Sequence, residues 1–480
     1  MSFVSIFFLL FLAFTTTIYY LLKTRYRTVW LLCASYFFYL TWQPAFSVVL
    51  LFVTFLSFRF GKKIGSVSDN KRKKQWLVVS VVVLILPLIF FKYFNFLNDN
   101  LTKIFAFFSV RIFLPNQPYL VPLGISFFTF QAISYVADIY RGYLKPEDRL
   151  TKFALYMAFF PTLLAGPIER AKAILKQISN PVSFDNQTIR AGLQLILWGV
   201  FKKVVLADRM TDFMEKVYRN PQDYQGVLIY FAIIFSVFQL FCDFSAYSDI
   251  AVGSARMFGI RLTKNFDDRV YAAPSREIFW QDWHKSLTSW LRDYVFFPLS
   301  RGVKSHVRLY VNLLIVYLLV GVWHGATWGF IAWGFLNGVW LVMENASKNL
   351  RQQFFTRLGF DVNGNIFYFL SWLFIFHIGA CFGTFFRTDT PRQAFSFIGN
   401  IFNSNIGLLA RWETKSCFVT IVFLLVMDFV NRQIPKGENF DAFVAQQKTL
   451  VRWVIYILLT EWILRYTHVF DEKKFMYFNF

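Results

Sequence analysis

The sequence is poor in charged residues and in cysteine. Charged side chains make up 16% of the 480 residues, whereas 56% are hydrophobic and 21% are aromatic. This balance is atypical of a soluble chain and predicts an integral membrane protein. The four cysteines, Cys33, Cys242, Cys381 and Cys417, are scattered, and their spacing matches neither a disulfide framework nor a metal site. We therefore expect four buried thiols and no metal.

Several catalytic sequence motifs are also missing. The chain contains no G-x-S-x-G elbow, Walker loop, H-E-x-x-H motif or dinucleotide fingerprint, so serine-hydrolase, ATPase and zinc-protease functions lack support. The net charge of +22 could indicate nucleic-acid binding. However, the basic residues fall between apolar runs, which is typical of cytoplasmic loops that face anionic lipid headgroups. We expect the lipid bilayer as a partner and no nucleic acid.

Long uncharged runs are abundant and predict membrane-spanning helices. They cover residues 3–22, 28–58, 226–242, 309–343 and 364–386. Further spans are predicted near 76–96, 122–140, 189–207, 416–430 and 450–467, and the run at 309–343 divides into 309–326 and 327–344. The fold class is therefore all-α, in a polytopic membrane protein with about 11–12 transmembrane helices.

Basic residues predict the orientation of these spans. Three follow the first span and seven follow the third, whereas none lies in the turn after the second span. Because cytoplasmic loops are rich in Lys and Arg, the N-terminus should lie outside. Residues 97–120 are then an outer loop. Residues 153–168 are short and contain prolines, which favours a re-entrant segment, and residues 248–308 are placed on the cytoplasmic side.

Two of the five histidines lie in neighbouring, distinctive segments. His284 is in a tryptophan-rich, charged stretch at 276–294, whose helix we expect Ser275 to cap. His324 is in the apolar sequence GVWHGATWG. Imidazole suits proton transfer near neutral pH, and an ionisable group within a membrane is a candidate for function. We predict that both face one buried reaction chamber. Alternatively, His324 is structurally hydrogen-bonded and His284 is hydrated.

Other polar residues could belong to the same site. Asp243 and Asp249, at the inner end of a span, could orient a substrate, or could be solvated or paired with Arg256, Arg276 or Arg292. His377 could be functional or hydrogen-bonded to a neighbouring helix. His306 is expected in a solvated loop, and His468 near the end of the last span. The remaining candidates for contacts with substrate in the chamber are Trp283, Trp323, Arg292 and Asp293.

Several longer motifs occur in one order along the chain. They are PLGISFFTFQAISYVADIYRG (122–142), FFPTLLAGPIER (159–170), GVFKKVVLADRM (199–210), FCDFSAYSDIAVGSARMFGI (241–260), RDYVFFPL (292–299), GVWHGATWGFIAWGFLNG (321–338), FFR (385–387) and the terminal FMYFNF. With the His284 stretch, they resemble the membrane-bound O-acyltransferase (MBOAT) superfamily, in its bacterial branch of alginate O-acetylation, peptidoglycan O-acetylation and teichoic-acid D-alanylation proteins.

This resemblance implies a fold with spanning and re-entrant helices around a central tunnel. It implies that His324 is the active-site histidine of the family and that His284 is the second conserved one. It also implies a thioester donor from the cytoplasm, acetyl-CoA or an acyl-carrier protein, with no bound cofactor. The acceptor would be a polysaccharide, reached with an extracytoplasmic, esterase-like partner protein at the bacterial inner membrane.

We expect a single domain. Within it, residues 1–121 form N-terminal spans, residues 122–387 form the catalytic core and residues 388–480 form C-terminal spans. The leading hypothesis is an enzyme, an O-acyltransferase and most simply an O-acetyltransferase. D-alanyl transfer to teichoic acid is one alternative. A non-enzymatic, proton-coupled transporter that uses the same histidines as a relay is another.

Overall fold

A computed structural model describes residues 1–110, 115–118, 120–267, 269–403, 413–435 and 437–467, without side chains at 413–419. The terminal FMYFNF motif, His468 and the Cys417 thiol lie outside the described residues. All regular structure in the described ranges is helical. The helices belong to two compact units, one formed by Met1–Leu193 with Ile250–Thr263, and the other by Gln194–Asp249 with the described residues from Lys264 onwards.

The first unit contains nine α-helices among its described residues. They are α1 (Ile6–Leu21), α2 (Thr24–Leu40), α3 (Ser47–Ser66), α4 (Asn70–Leu88), α5 (Phe94–Phe107), α6 (Ile125–Tyr140), α7 (Leu150–Ala158), α8 (Phe160–Leu163) and α9 (Ala171–Ser179). Helix α6 is the central element of the unit, because every residue from Ile125 to Ile139 is buried.

Two helices have residues in both units, α10 (Asn186–Phe201) and α12 (Val227–Arg256). The other α-helices described in the second unit are α11 (Asp208–Arg219), α13 (Arg276–Asp282), α14 (Lys285–Leu291), α15 (Phe297–Ser300), α16 (His306–His324), α17 (Trp328–Ala346), α18 (Lys348–Arg357), α19 (Asn365–Phe385), α20 (Pro391–Gly399), α21 (Glu413–Gln433), α22 (Phe440–Ala445) and α23 (Thr449–Tyr466).

Five helical segments of the described chain are long and apolar enough to cross a membrane. They are Pro44–Ser66, Asn70–Phe107, Val227–Arg256, His306–His324 and Asn365–Phe385. Large apolar side chains on these helices are exposed, as lipid-facing residues would be, including Phe369 and Phe374. The total of about 11–12 crossings stays a prediction.

The predicted outer loop at 97–120 is wrong in its first part. Helix α4 continues through a π-helix at Ile89–Tyr93 into α5, so that residues up to Phe107 are helical. Pro87 has no N–H to donate within α4. The backbone accommodates this proline by local widening of the helix rather than by ending it.

The segment at 153–168 is too interrupted to cross a membrane as one helix, as predicted. Helix α7 ends at Ala158, Phe159 is non-helical, and α8 has only four residues. The whole segment is buried in the first unit. Another expectation is wrong, because the Cys33 side chain is exposed, whereas Cys242 is buried and Cys381 is intermediate.

Candidate active site

His324 is the last residue of α16, where a sharp connection leads into α17. Thr327 caps α17 by accepting a hydrogen bond from the N–H of Phe330. The two helices touch through their backbones, because a Cβ atom on Gly321 would lie 2.4 Å from the carbonyl oxygen of Phe330. This close approach of the two helices, which small residues allow, holds His324 against α17.

Aromatic rings enclose the His324 imidazole, which is only 2% exposed. Its ring centroid lies 4.9 Å from that of Trp323, 5.1 Å from that of Trp333 and 4.9 Å from that of Phe386. Phe386 follows the end of α19, so three different helices contribute to this aromatic cage.

His284 occupies the break between α13 and α14 in a strained backbone conformation. Its φ of 45° and ψ of 53° are left-handed, which costs a residue other than glycine about 1–3 kcal/mol and persists only where neighbouring structure holds it. The side chain is 0% exposed. The helix before it begins at Ser275, which accepts a hydrogen bond from Ile278 N–H, and the predicted cap is thus confirmed.

Asn265 holds the strained turn in place. Its backbone carbonyl accepts a hydrogen bond from Lys285 N–H at 2.8 Å. Its side-chain Oδ1 accepts from Ser286 N–H at 3.1 Å and from the Ser286 hydroxyl at 2.9 Å. The same Oδ1 lies 3.2 Å from Nδ1 of His284. One asparagine therefore binds three consecutive residues of the turn.

These contacts determine which nitrogen of His284 carries the proton. A backbone N–H can only donate, so the Asn265 atom that faces Ser286 N–H must be the oxygen and not the amide nitrogen. That oxygen cannot donate, and His284 Nδ1 must therefore carry the hydrogen that it shares with Asn265. Burial also lowers the pKa of His284 to about 3, so at neutral pH the ring is uncharged and Nε2 is its unprotonated nitrogen.

The two histidines are brought together by one tryptophan. The Trp323 ring centroid lies 5.5 Å from that of His284 and 4.9 Å from that of His324. Phe244 of α12 packs edge-on against His284 at 4.8 Å. Trp283 packs against Phe266 at 5.1 Å, and Phe266 lies 6.0 Å from the His284 ring. The structure thus places both predicted histidines and both predicted tryptophans in one aromatic cluster.

A cavity of about 60 Å³ borders this cluster. Trp283, Trp333 and Phe386 form part of its wall, together with residues of α12 and α19. The two imidazoles are not part of that wall. Trp333 and Phe386 line the cavity and also contact the His324 ring, so each is a direct neighbour of both.

The carboxylates Asp243 and Asp249 form buried ion pairs instead of facing the histidines. Asp243 lies 2.8 Å from Nζ of Lys203, which also pairs with Asp208, and Asp249 lies 2.7 Å from Nζ of Lys202. The predicted position at the end of a span is wrong, because α12 continues to Arg256. The expected arginine partners are also wrong. The two lysines neutralise the acids, so the helix can bury them.

Three other predictions concern residues away from the cluster. Arg292 and Asp293 pair with each other at 2.9 Å in a partly exposed π-helix, and the structure does not bring them to the histidines. His377 lies 2.7 Å from the Tyr230 hydroxyl of α12, which confirms a hydrogen bond to another helix. His306 is exposed but begins α16, so it is not in a loop.

Sequence reasoning missed Asn265, Lys202 and Lys203. The adjacent lysines in an apolar segment were a usable signal, because buried charges need partners and two aspartates lie on the following helix. Asn265 carried no such signal, since its role depends on a turn that only the folded chain shows. Within the described ranges, no group of three His, Cys, Asp or Glu side chains could hold a metal ion.

Comparison with known proteins identifies the family. The model of the MBOAT, membrane-bound O-acyltransferase, family matches residues 148–388. The chain belongs to this family. The matched region includes Asn265, His284 and His324. The helical fold and its apolar helices agree with a multi-pass membrane acyltransferase of this family. The predicted family, fold class and enzyme class are therefore confirmed.

The similar proteins include bacterial MBOAT enzymes of three kinds. The chain is 32% identical to a probable alginate O-acetylase of Pseudomonas putida, over 99% of each chain. It is 28% identical to a peptidoglycan O-acetyltransferase of Helicobacter pylori, over 94% of this chain and 91% of the relative. It is 31% identical to a teichoic acid D-alanyltransferase of Streptococcus thermophilus, over 48% of this chain and 58% of the relative.

Proposed function

We propose that this MBOAT enzyme transfers an acetyl group from a thioester, acetyl-CoA or an acetylated carrier protein, to a hydroxyl of a surface polysaccharide or cell-wall polymer. The names of the similar proteins support an acetyl group and a glycan acceptor. The observation that carries the proposal is the pair of buried histidines packed on Trp323. D-alanyl transfer rests on relatives that cover about half of the chain.

His324 is assigned as the general base. Its imidazole takes the proton of the acceptor hydroxyl while the oxygen attacks the thioester carbonyl, which gives a tetrahedral intermediate. The carbon–sulfur bond then breaks, and the imidazolium returns the proton to the departing thiolate. A positioned base of this kind contributes about 10²–10⁴-fold to the rate. The imidazole is not part of the cavity wall, whereas Trp333 and Phe386 are. A substrate in the cavity must therefore displace one of these rings to reach His324.

His284 is assigned as a second substrate-contacting group. Its Nδ1–H is directed to Asn265, and the unprotonated Nε2 can accept a hydrogen bond from a second donor on the substrate, such as a neighbouring hydroxyl. The strained turn fixes the ring direction before substrate binds. Such preorganisation lowers the cost of reaching the reactive geometry.

The proposal includes the membrane location and the orientation of the enzyme in the cell. The enzyme lies in the bacterial cytoplasmic membrane with its N-terminus outside and residues 122–387 as its catalytic core. The donor enters from the cytoplasm through a central tunnel, and the polymer hydroxyl is reached with an extracytoplasmic, esterase-like partner protein. The asymmetry of basic residues in the first three loops supports this orientation.

The proposal is tested with purified protein in proteoliposomes supplied with acetyl-CoA as donor and a hydroxyl-bearing polysaccharide as acceptor. Wild-type protein should release free thiol, and His324→Ala should reduce the rate by at least about 100-fold because the base is lost. His306→Ala is the control, since this exposed histidine lies at the far end of α16. Equal rates for His324→Ala and wild type would contradict the assignment. Flux of a solute without thiol release would favour the transporter.

A further inference from the structure

Two arginines line the cavity beside the aromatic cage. Arg276 begins α13 and Arg387 follows the end of α19, and both contribute to the wall of the 60 Å³ space. Trp333 and Phe386, which contact His324, belong to the same wall. Two positive charges therefore border a small, otherwise largely aromatic and aliphatic space next to the proposed base.

Arg276 is buried, with 6% of its surface exposed, and its guanidinium has only neutral partners. Nε donates to Oδ1 of Asn337 at 2.9 Å, and Nη2 donates to the same oxygen. The Asn337 amide is oriented by its own donation to the Trp333 carbonyl. Glu344 accepts a hydrogen bond from the backbone N–H of Arg276 and not from the guanidinium.

The remaining guanidinium nitrogen of Arg276 lies against a glycine. A Cβ atom at Gly379 would be 2.7 Å from Nη1. Gly379 also lines the cavity, so the missing side chain leaves room for the guanidinium at the cavity wall. No hydrogen bond of Nη1 is found within the described part of the chain.

Arg387 is likewise held by neutral groups. Its Nε donates to the Ser236 hydroxyl at 2.7 Å, and Nη2 donates to Oε1 of Gln239. Gln239 donates to Thr211, which directs its oxygen towards the arginine. Among the residues that the structure describes, neither guanidinium group forms an ion pair with a carboxylate within 4.0 Å, and Glu344 contacts only the backbone N–H of Arg276.

Glu344 acts favourably on Arg276, and Asp243 and Glu215 act favourably on Arg387, but none of them forms an ion pair with the guanidinium. Burial of a charge without a directly paired opposite charge is costly, so two such arginines in one wall require an explanation. Burial lowers the pKa of Arg276 to about 10, and the group is still protonated at neutral pH. Guanidinium groups suit carboxylates and phosphates because their planar N–H donors match two oxygens. The cavity is therefore suited to an anionic group of a ligand.

We propose that Arg276 and Arg387 bind an oxyanion of the acyl acceptor, a carboxylate or phosphate carried close to the hydroxyl that is acylated. This inference rests on the proposed acyl transfer. The cavity is one aromatic ring away from His324, so the bound anion must lie near the reacting hydroxyl. The phosphate of a pantetheine thioester is at the far end of a long flexible arm, which fits this position less well.

Binding is tested by thermal unfolding of the full chain in a neutral maltoside detergent, which supplies no lipid phosphate. Glucuronate and inorganic phosphate are the probes, with glucose as the uncharged comparison and sodium chloride to equalise ionic strength. Both anions should raise the Tm of wild-type protein by a few degrees, whereas glucose should not. Arg387→Gln and Arg276→Gln should weaken anion binding at least about tenfold.

A second variant covers the case in which an arginine variant does not fold. A Cβ atom at Gly383 would meet no atom within 4 Å, although Gly383 lines the cavity. Gly383→Leu should therefore fold, fill the space and abolish the anion effect with both arginines present. Arg292→Gln, at an exposed ion pair, is the matched control and should keep the effect. Absence of anion stabilisation in wild type, or equal stabilisation in all variants, would overturn the proposal.

Two further measurements are needed. One distinguishes an anion of the acceptor from the phosphate of the donor, and the other distinguishes failure of this inference from failure of the proposed function. If Arg387→Gln weakens the binding of acetyl-CoA but not of uncharged acetyl-pantetheine, the site belongs to the donor phosphate, and the acceptor assignment is wrong. His324→Ala should lose acyl transfer but retain anion stabilisation. Acyl transfer by His324→Ala would contradict only the proposed function. Anion binding that is unchanged in the arginine variants would contradict only this inference.

Discussion

Replacement of Asn265 tests whether the fixed proton on His284 matters for the reaction. Asn265→Asp keeps the shape of the side chain but places a carboxylate about 3.2 Å from Nδ1 of His284. At an effective dielectric constant of about 20, a unit charge pair at this distance is worth about 5 kcal/mol. This corresponds to about 3–4 pKa units in favour of the imidazolium.

The pKa of His284 is lowered to about 3 by burial. The new carboxylate should therefore raise it to near 7. Below that pKa the ring carries a proton on Nε2 and cannot accept a hydrogen bond from substrate. Activity of Asn265→Asp should accordingly fall as the pH decreases from about 8 to 6, whereas wild-type activity should not show this loss.

The assay is kcat/KM for thiol release from acetyl-CoA between pH 5.5 and 9, in proteoliposomes that are buffered on both sides and supplied with a saturating polysaccharide acceptor. Asn265→Ala should lose about tenfold or more in kcat at every pH, because nothing then orients the ring. Asn312→Asp is the control, because this buried asparagine binds Leu299 and Ser300 away from the histidines. Superimposable pH profiles for Asn265→Asp and wild type would refute the reasoning.

Three further predictions concern stability and packing. Lys203→Met should destabilise the protein by about 3–5 kcal/mol in chemical unfolding, because the buried Asp243 carboxylate would lose the lysine charge that pairs with it. Lys62→Met, at an exposed ion pair, should leave the midpoint of the unfolding transition unchanged. Gly321→Val should abolish monodisperse protein in size-exclusion chromatography, since its side chain would overlap α17, whereas Gly399→Ala, with open space around it, should not. His377→Ala should retain acyl transfer and lower the Tm slightly through loss of one hydrogen bond; an inactive, stable variant would contradict its structural role.

Much of the helical framework could be predicted from hydrophobicity alone. The run at 309–343 divides into α16 and α17 at the predicted place, because glycine and threonine interrupt an otherwise uniform apolar stretch. The boundaries failed where charged or polar residues were taken to mark the end of a span. Helix α12 continues past Asp243 and Asp249 because lysines on another segment neutralise them, and pairing of this kind is invisible in local sequence.

The histidines were predictable as residue types, but their chemical states were not. A lone imidazole in an apolar run is unusual enough to select His324. The proton position on His284 depends instead on three hydrogen-bond donors that converge on one oxygen of Asn265. The partners of Arg276 are equally non-local, since Asn337 and Gly379 lie on other helices.

Mass spectrometry of surface glycans tests the central claim most directly. Cells that lack this protein are supplied with the wild type, with His324→Ala or with His306→Ala, and membrane levels of the three proteins are matched. Ester-linked acetyl groups on the glycans should be restored by the wild type and by His306→Ala but not by His324→Ala. Equal acetylation with His324→Ala would contradict an acyl transfer that depends on this imidazole.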